Sequence, residues 1–194
     1  MSGQGPGAKL GRQQIVVSGV GGQGVLFVTR LLADAAIRKG ASVLTSETHG
    51  MAQRGGVVVS HLKVGDFSSP LVRASRADGL IVLSAENLPL HRRFLTPSGW
   101  AVVNAPPKSL PGGGAGVHAV DADALAKESG NPQAVNLILL GYALTRPGAR
   151  EGGGLLFCSP DDVRAALHGR MGAKESLLAA ALSALALGMN QGTR

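Results

Sequence analysis

The residues QQIVVS (13–18) form a short apolar run that passes directly into GVGGQG (19–24) and then into VLFVTRLLADAAIRK (25–39), whose apolar residues recur at helical spacing. This succession of strand, glycine turn and helix restricts the fold more than any other feature, because a strand that turns abruptly into a helix belongs to a βα unit and so to a sheet with parallel strands. The glycines at 19, 21 and 24 answer separate demands: no Cβ clash in the turn, close approach of a phosphate to the backbone, and tight seating of the helix on the strand. The first helical amides, with the helix dipole behind them, would then face an anion. Gly19, Gly21, Gly22, Gln23, Gly24 and Val25 are therefore candidate cofactor-binding residues. A tight βα turn with nothing bound would show the same spacing.

The remaining chain repeats the alternation. Gly40 marks the helix stop, and a second strand is expected over 41–45. Further strands are expected over 57–64, 79–83, 100–104 and 117–120, with a short helix over 86–93. Helices then dominate, over 121–129, 133–144 and 174–189, with another opening at SPDD, where Ser159 suits the N-cap and Pro160 the first helical position. The glycine- and proline-rich stretch 105–116 reads as a surface loop. The fold class is α/β: a Rossmann-like three-layer domain with a mainly parallel sheet and C-terminal helices. With 194 residues and 44% hydrophobic content, the chain suits one domain over 13–190 behind a flexible N-terminus, 1–12.

Composition excludes several functions. The single cysteine, Cys158, is read as an ordinary half-buried thiol and cannot supply a four-thiolate iron–sulfur site. No metal site and no catalytic residue is assigned to this chain. A secretory signal and a membrane span are not expected, which points to a cytoplasmic protein. The net charge of +7 would suit a basic nucleic-acid-binding module, but aromatic residues make up only 3% of the chain, few for stacking bases. A basic surface for an anionic cofactor or an acidic partner fits equally well.

The loop after the second strand carries the most chemistry. Glu47 lies at the distance where a dinucleotide fold places its ribose-binding acid, which keeps a free-standing NAD(P)-dependent oxidoreductase as an alternative. Glu47 is followed by THGMAQRGG, which brings Thr48, His49, Gln53, Arg54, Gly55 and Gly56 ahead of the third strand. In an open α/β sheet this loop would lie beside the glycine turn. Arg54 is the best single side chain for an anion, since its planar fork grips phosphate with two hydrogen bonds. His61 and Lys63 read as structural or rim residues.

Taken together, GVGGQGV, SETHGMAQRGGVVVSHLKVG and NLILLGYAL resemble the gamma-type domain of the thiamine diphosphate-dependent 2-oxoacid:ferredoxin oxidoreductases, nearest to the small beta subunit of the indolepyruvate type. The resemblance implies a non-catalytic subunit supporting oxidative decarboxylation of a 2-oxoacid, indolepyruvate or another aryl pyruvate, to acyl-CoA. It implies a larger alpha subunit carrying thiamine diphosphate, magnesium and iron–sulfur clusters, which passes electrons to ferredoxin, while this chain helps bind coenzyme A. Neither nucleic acid nor a membrane is an implied partner. On the same resemblance, Gly19 to Val25 and Gln53-Arg54-Gly55-Gly56 match family turns, and Arg30 falls where relatives carry a basic residue. Glu47, Thr48, His49 and Gln53 are implied to face substrate or the subunit boundary.

Overall fold

The computed structural model describes residues 11–49, 55–110, 116–148 and 154–193. Six strands, β1 (Gln13–Val20), β2 (Val43–His49), β3 (Val57–Val64), β4 (Ala77–Val82), β5 (Leu95–Asn104) and β6 (Val117–Val120), form one sheet in the order β2-β3-β1-β4-β5-β6. β1, β4, β5 and β6 are parallel neighbours, whereas β3 runs antiparallel to both β1 and β2. The helices are α1 (Val25–Arg38), the short α2 (Leu88–His91), α3 (Ala122–Glu128), α4 (Val135–Thr145), α5 (Pro160–Met171) and α6 (Glu175–Gly192). No helix among the described residues is long and apolar enough to cross a membrane.

Alternation along the central strands assigns the two faces. Ile15, Val17, Leu62, Ile81 and Val102 point into the larger core, under α1 and the C-terminal helices. Val16, Val59, Leu80, Val82 and Val103 point into a second core, closed by a thinner layer that includes Val72, Leu88 and Phe94. Ile15, Val16 and Val17 have no exposed surface, as expected of a strand covered on both sides.

Most elements fall where the sequence places them, and the departures have physical causes. β3 and β6 coincide with expectation. β2 continues to His49 because its polar half, Ser46 to His49, pairs with Val58 to His61 at the sheet edge, where an apolar run is not required. β5 starts at Leu95 because a register irregularity between Ala77 and Gly79 absorbs the Pro-Ser-Gly stretch that reads as a turn. The helix expected over 86–93 is split into a 3-10 turn, α2 and a second 3-10 turn, with Pro89 in the first turn of α2. At α5 the expected cap is present in full: Ser159 Oγ accepts from the Asp162 amide, and the Ser159 amide donates to Asp162 Oδ2 at 2.8 Å.

α4 is buried from Leu137 to Leu144, against the sheet on one side and α6 on the other. The two helices cross through glycines. A Cβ at Gly188 would overlap the Ile138 carbonyl oxygen, and one at Gly141 would overlap the Leu185 carbonyl oxygen and lie 3.0 Å from the Met189 nitrogen. This close crossing fixes α4, whose first turn carries a side chain that reaches the glycine turn.

Candidate functional site

The glycine turn leaves the carboxyl end of β1, the edge where open α/β sheets collect ligands. Its conformation is held by side chains from other elements. The Gln23 amide donates to the Val20 carbonyl at 3.1 Å, and the Val20 amide donates to Gln23 Oε1 at 2.9 Å, so the glutamine folds back on its own turn. Asn87 Nδ2 donates to the Gly19 carbonyl at 2.9 Å from the segment entering α2, and Asn136 Nδ2 donates to the Gln23 carbonyl at 3.2 Å from α4. A Cβ at Gly19 would press on Gln23, Val25 and Leu83, which accounts for the first glycine by packing. Val25 is itself buried beneath the turn.

The opening of α1 is bare. Gly24 is its N-cap with φ 80°, a left-handed conformation that glycine adopts without strain; it supplies no side-chain cap, and no acidic residue stands in the first turn. The first amides of this 14-residue helix thus lack the side-chain oxygen that usually satisfies them. At Gly22 a Cβ would meet nothing within 4 Å among the described residues. Unsatisfied N–H groups, a helix dipole and open backbone are the donor set that suits a phosphate oxygen.

The second glycine pair meets the first turn directly. The Gly21 amide donates to the Gly56 carbonyl at 2.9 Å, and a Cβ at Gly21 would lie 3.4 Å from the Gly55 nitrogen. The structure therefore brings Gly19–Val25 and Gly55–Gly56 together. Gln53 and Arg54 lie outside the described residues. Glu47 and Arg30 pair with each other, Arg30 Nη2 standing 3.6 Å from Glu47 Oε1. Thr48 is exposed near the end of β2, and the His49 backbone ends that strand opposite Val58. The insertion of β3 between β1 and β2 sets Glu47 two strands from β1, about 9–10 Å sideways at ordinary strand spacing. In the dinucleotide fold the ribose-binding acid stands on the strand next to the first, so this order disfavours that role for Glu47.

On the thinner face, beneath the same edge, a pocket of about 600 Å³ is lined by Thr48, Val59, His61, His91 and Phe94 among others. Both imidazoles are buried, and both are held below the usual histidine range: His61 by burial and then by His91 and Lys63, His91 by burial and then by Arg93. His91 Nδ1 lies 2.7 Å from Ser18 Oγ, and Phe94 stacks on His91 and meets His61 edge-on. His61, read as structural or rim, is a core residue whose Nδ1 has no hydrogen-bond partner among the described residues. Cys158 is fully buried rather than half-buried, and burial pushes its thiol up to about 12.

The residues that sequence reasoning missed are asparagines. Asn104, at the end of β5, donates to the Leu83 carbonyl and to Asp123, and accepts from the Ala122 and Asp123 amides, joining two strand ends to the start of α3. Asn87 and Asn136 hold the turn itself. The available signal was position: AEN follows the β4 run, VVN ends β5, and AVN opens α4.

The profile of the pyruvate ferredoxin/flavodoxin oxidoreductase family matches residues 14–191. The indolepyruvate oxidoreductase subunit IorB of Archaeoglobus fulgidus is 35% identical over 150 residues, 67% of this chain and 75% of that protein. Among solved structures, a 2-oxoglutarate:ferredoxin oxidoreductase from Magnetococcus marinus, with 2-oxoglutarate, coenzyme A and succinyl-CoA bound, superposes with a TM-score of 0.72 at 23% identity over 91% of this chain; the match spans 30% of that longer chain. The keto/oxoacid ferredoxin oxidoreductase gamma subunit from Geobacter sulfurreducens superposes with a TM-score of 0.69 at 21% identity, covering 93% of this chain and 98% of that one.

Proposed function

The chain belongs to the pyruvate ferredoxin/flavodoxin oxidoreductase family, and from this premise we propose that it is the small, non-catalytic subunit of a thiamine diphosphate-dependent 2-oxoacid:ferredoxin oxidoreductase whose glycine turn helps hold coenzyme A. The partner is a larger alpha subunit carrying thiamine diphosphate, magnesium and the iron–sulfur clusters, with ferredoxin as electron acceptor. The substrate is indolepyruvate or another aryl pyruvate; the name of the Archaeoglobus relative supports this choice.

The observation that carries the reading is the 2.9 Å bond from the Gly21 amide to the Gly56 carbonyl. It brings the bare start of α1 against the Gly55-Gly56 turn, and Arg54 directly precedes that turn in the sequence, so the reading joins open helix-start amides to a neighbouring basic residue. That combination fits a phosphate group of coenzyme A. Bound there, coenzyme A would supply the thiol that accepts the acyl group. The chain's own residues bind and orient: Gln23, Asn87 and Asn136 fix the backbone carbonyls so that the neighbouring amides keep their direction. Preorganised donors of this kind cost little reorganisation on binding. Glu47 restrains Arg30 near the same edge, and Thr48, His49 and Gln53 are the residues we assign to the substrate or subunit boundary.

The test is reconstitution. Coenzyme A-dependent reduction of a low-potential dye, with indolepyruvate as substrate, should require both the alpha subunit and this chain. Full activity from the alpha subunit alone would refute the proposal.

A further inference from the structure

Four cations gather at the other end of the sheet, in a cleft the proposed function does not use. Its volume is about 550 Å³, and Arg12, Lys63, Arg73 and Arg76 converge on it, with Asp66 and Phe67 completing the charged and aromatic lining. Arg12 precedes β1, and Lys63 sits on β3 opposite Gln14, at the amino end of β1. The glycine turn leaves the carboxyl end of β1, so the two places are separated by the length of an eight-residue strand, roughly 20–25 Å.

Two features make the cleft a built site and not a solvated basic face. The first is Lys63, which is only 7% exposed. Its stem packs into the fold and its ammonium is left facing the cleft. The described ion pairs, Arg30–Glu47, Lys39–Asp162, Arg164–Asp161 and Arg170–Asp34, include none of the four cations of the cleft. Asp78, the nearest acid on β4 to this end, is engaged by the Gln14 amide at 2.7 Å. Burial, and then the like charges of Arg73 and Arg12, depress the lysine's affinity for its proton, as expected of a cation held among cations without a counter-ion.

The second feature is positioning. Arg12 lies over the Phe67 ring at 4.1 Å from its centroid, and Lys63 Nζ lies 5.1 Å from the same centroid, so one aromatic ring holds two of the cations in place. Against four cations the cleft offers one acid, Asp66, and a concave wall focuses their field inward.

We propose that this cleft is a second anion-binding site, taking a compact phosphate-bearing molecule with two or more negative charges. Arg73 and Arg76 grip it from the rim as planar forks, and Lys63 meets it at the floor as a point charge. The concavity selects a small ligand: an ammonium at the floor of the cleft is out of reach of a flat acidic protein surface or a duplex. The inference rests on this cleft alone and does not depend on the role of the glycine turn.

Inorganic pyrophosphate is the probe. Calorimetric titration into the full chain at low ionic strength should show saturable binding, weakened about ten-fold by Lys63→Met, Arg73→Gln or Arg76→Gln, since each removes a charge-assisted hydrogen bond. Arg73 and Arg76 are exposed, so their variants keep the fold even if Lys63→Met does not. Lys127→Gln, which removes an equal charge from α3, should leave the affinity within about two-fold, as expected for loss of a distant screened charge. Absence of binding, binding untouched by Arg73→Gln and Arg76→Gln, or equal loss in Lys127→Gln would each overturn the proposal; the second result would place the anion elsewhere, and the third would reduce the effect to net charge.

Discussion

Gly141→Ala tests whether the close crossing of α4 and α6 supports the site. An alanine Cβ would overlap the Leu185 carbonyl oxygen and stand 3.0 Å from the Met189 nitrogen and 3.1 Å from the Leu185 carbonyl carbon. All three are backbone atoms of α6, so no side-chain rotation relieves the clash and the helices must part. Overpacking of this kind costs about 3 kcal/mol, at the upper end of the usual range because backbone has to move. Alanine returns about 1 kcal/mol through its better helix propensity. The net loss is then about 2 kcal/mol, or roughly 4–8 °C in Tm for a chain of this size. Urea unfolding followed by circular dichroism measures the first quantity and a thermal scan the second. The displacement should also reach the ligand edge, because Asn136 in the first turn of α4 holds the Gln23 carbonyl. Hydrogen exchange at the amides of residues 20–25 should accelerate in the variant. A Gly141→Ala protein as stable as the parent, or stabilised by about the propensity gain, would refute the reasoning.

Three further outcomes are expected. Asn104→Ala should cost about 2 kcal/mol in urea unfolding, since it takes the acceptor from the first amides of α3 and removes one of the two donors to the Leu83 carbonyl, Gln23 Nε2 being the other. Cys158, buried and with its thiol pushed up to about 12, should resist a thiol-disulfide reagent at mildly alkaline pH in the folded protein and react once the chain is unfolded. His61, His91 and His118 all have pKa values lowered in the fold, by burial above all, from an ordinary value of 6.5. The unfolded chain therefore takes up protons first, and stability should fall as pH drops below about 6.5, with a shallower fall in His61→Gln; denaturant midpoints across this range measure it.

What could be read in the sequence was local. Val57 to Val64 is rich in β-branched residues and bounded by Gly56 and Gly65, which fixes its ends, and the Ser159 cap is written in four consecutive residues. The direction of β3 and its place between β1 and β2 are not local properties: strand order depends on which edges meet in space. The same limit applies to the site. The glycine spacing located the turn, but the glutamine and asparagines that hold it come from its own fifth residue, the entry to α2 and the start of α4. Lys63 reads as a structural or rim residue, and only the fold shows it facing a cleft shared with Arg12, Phe67 and Arg73.

The central claim is that the glycine turn holds coenzyme A in the assembled oxidoreductase. Gly22→Asp addresses it most directly, because the side chain enters space that no described residue fills and sets a carboxylate beside the bare start of α1, at a positive φ that strains every side chain, aspartate less than most. Equilibrium titration of coenzyme A onto the complex of this chain with its alpha subunit should show the affinity reduced at least about ten-fold by that variant, the equivalent of one lost charge-assisted contact. An unchanged affinity in a correctly assembled Gly22→Asp complex would contradict the account.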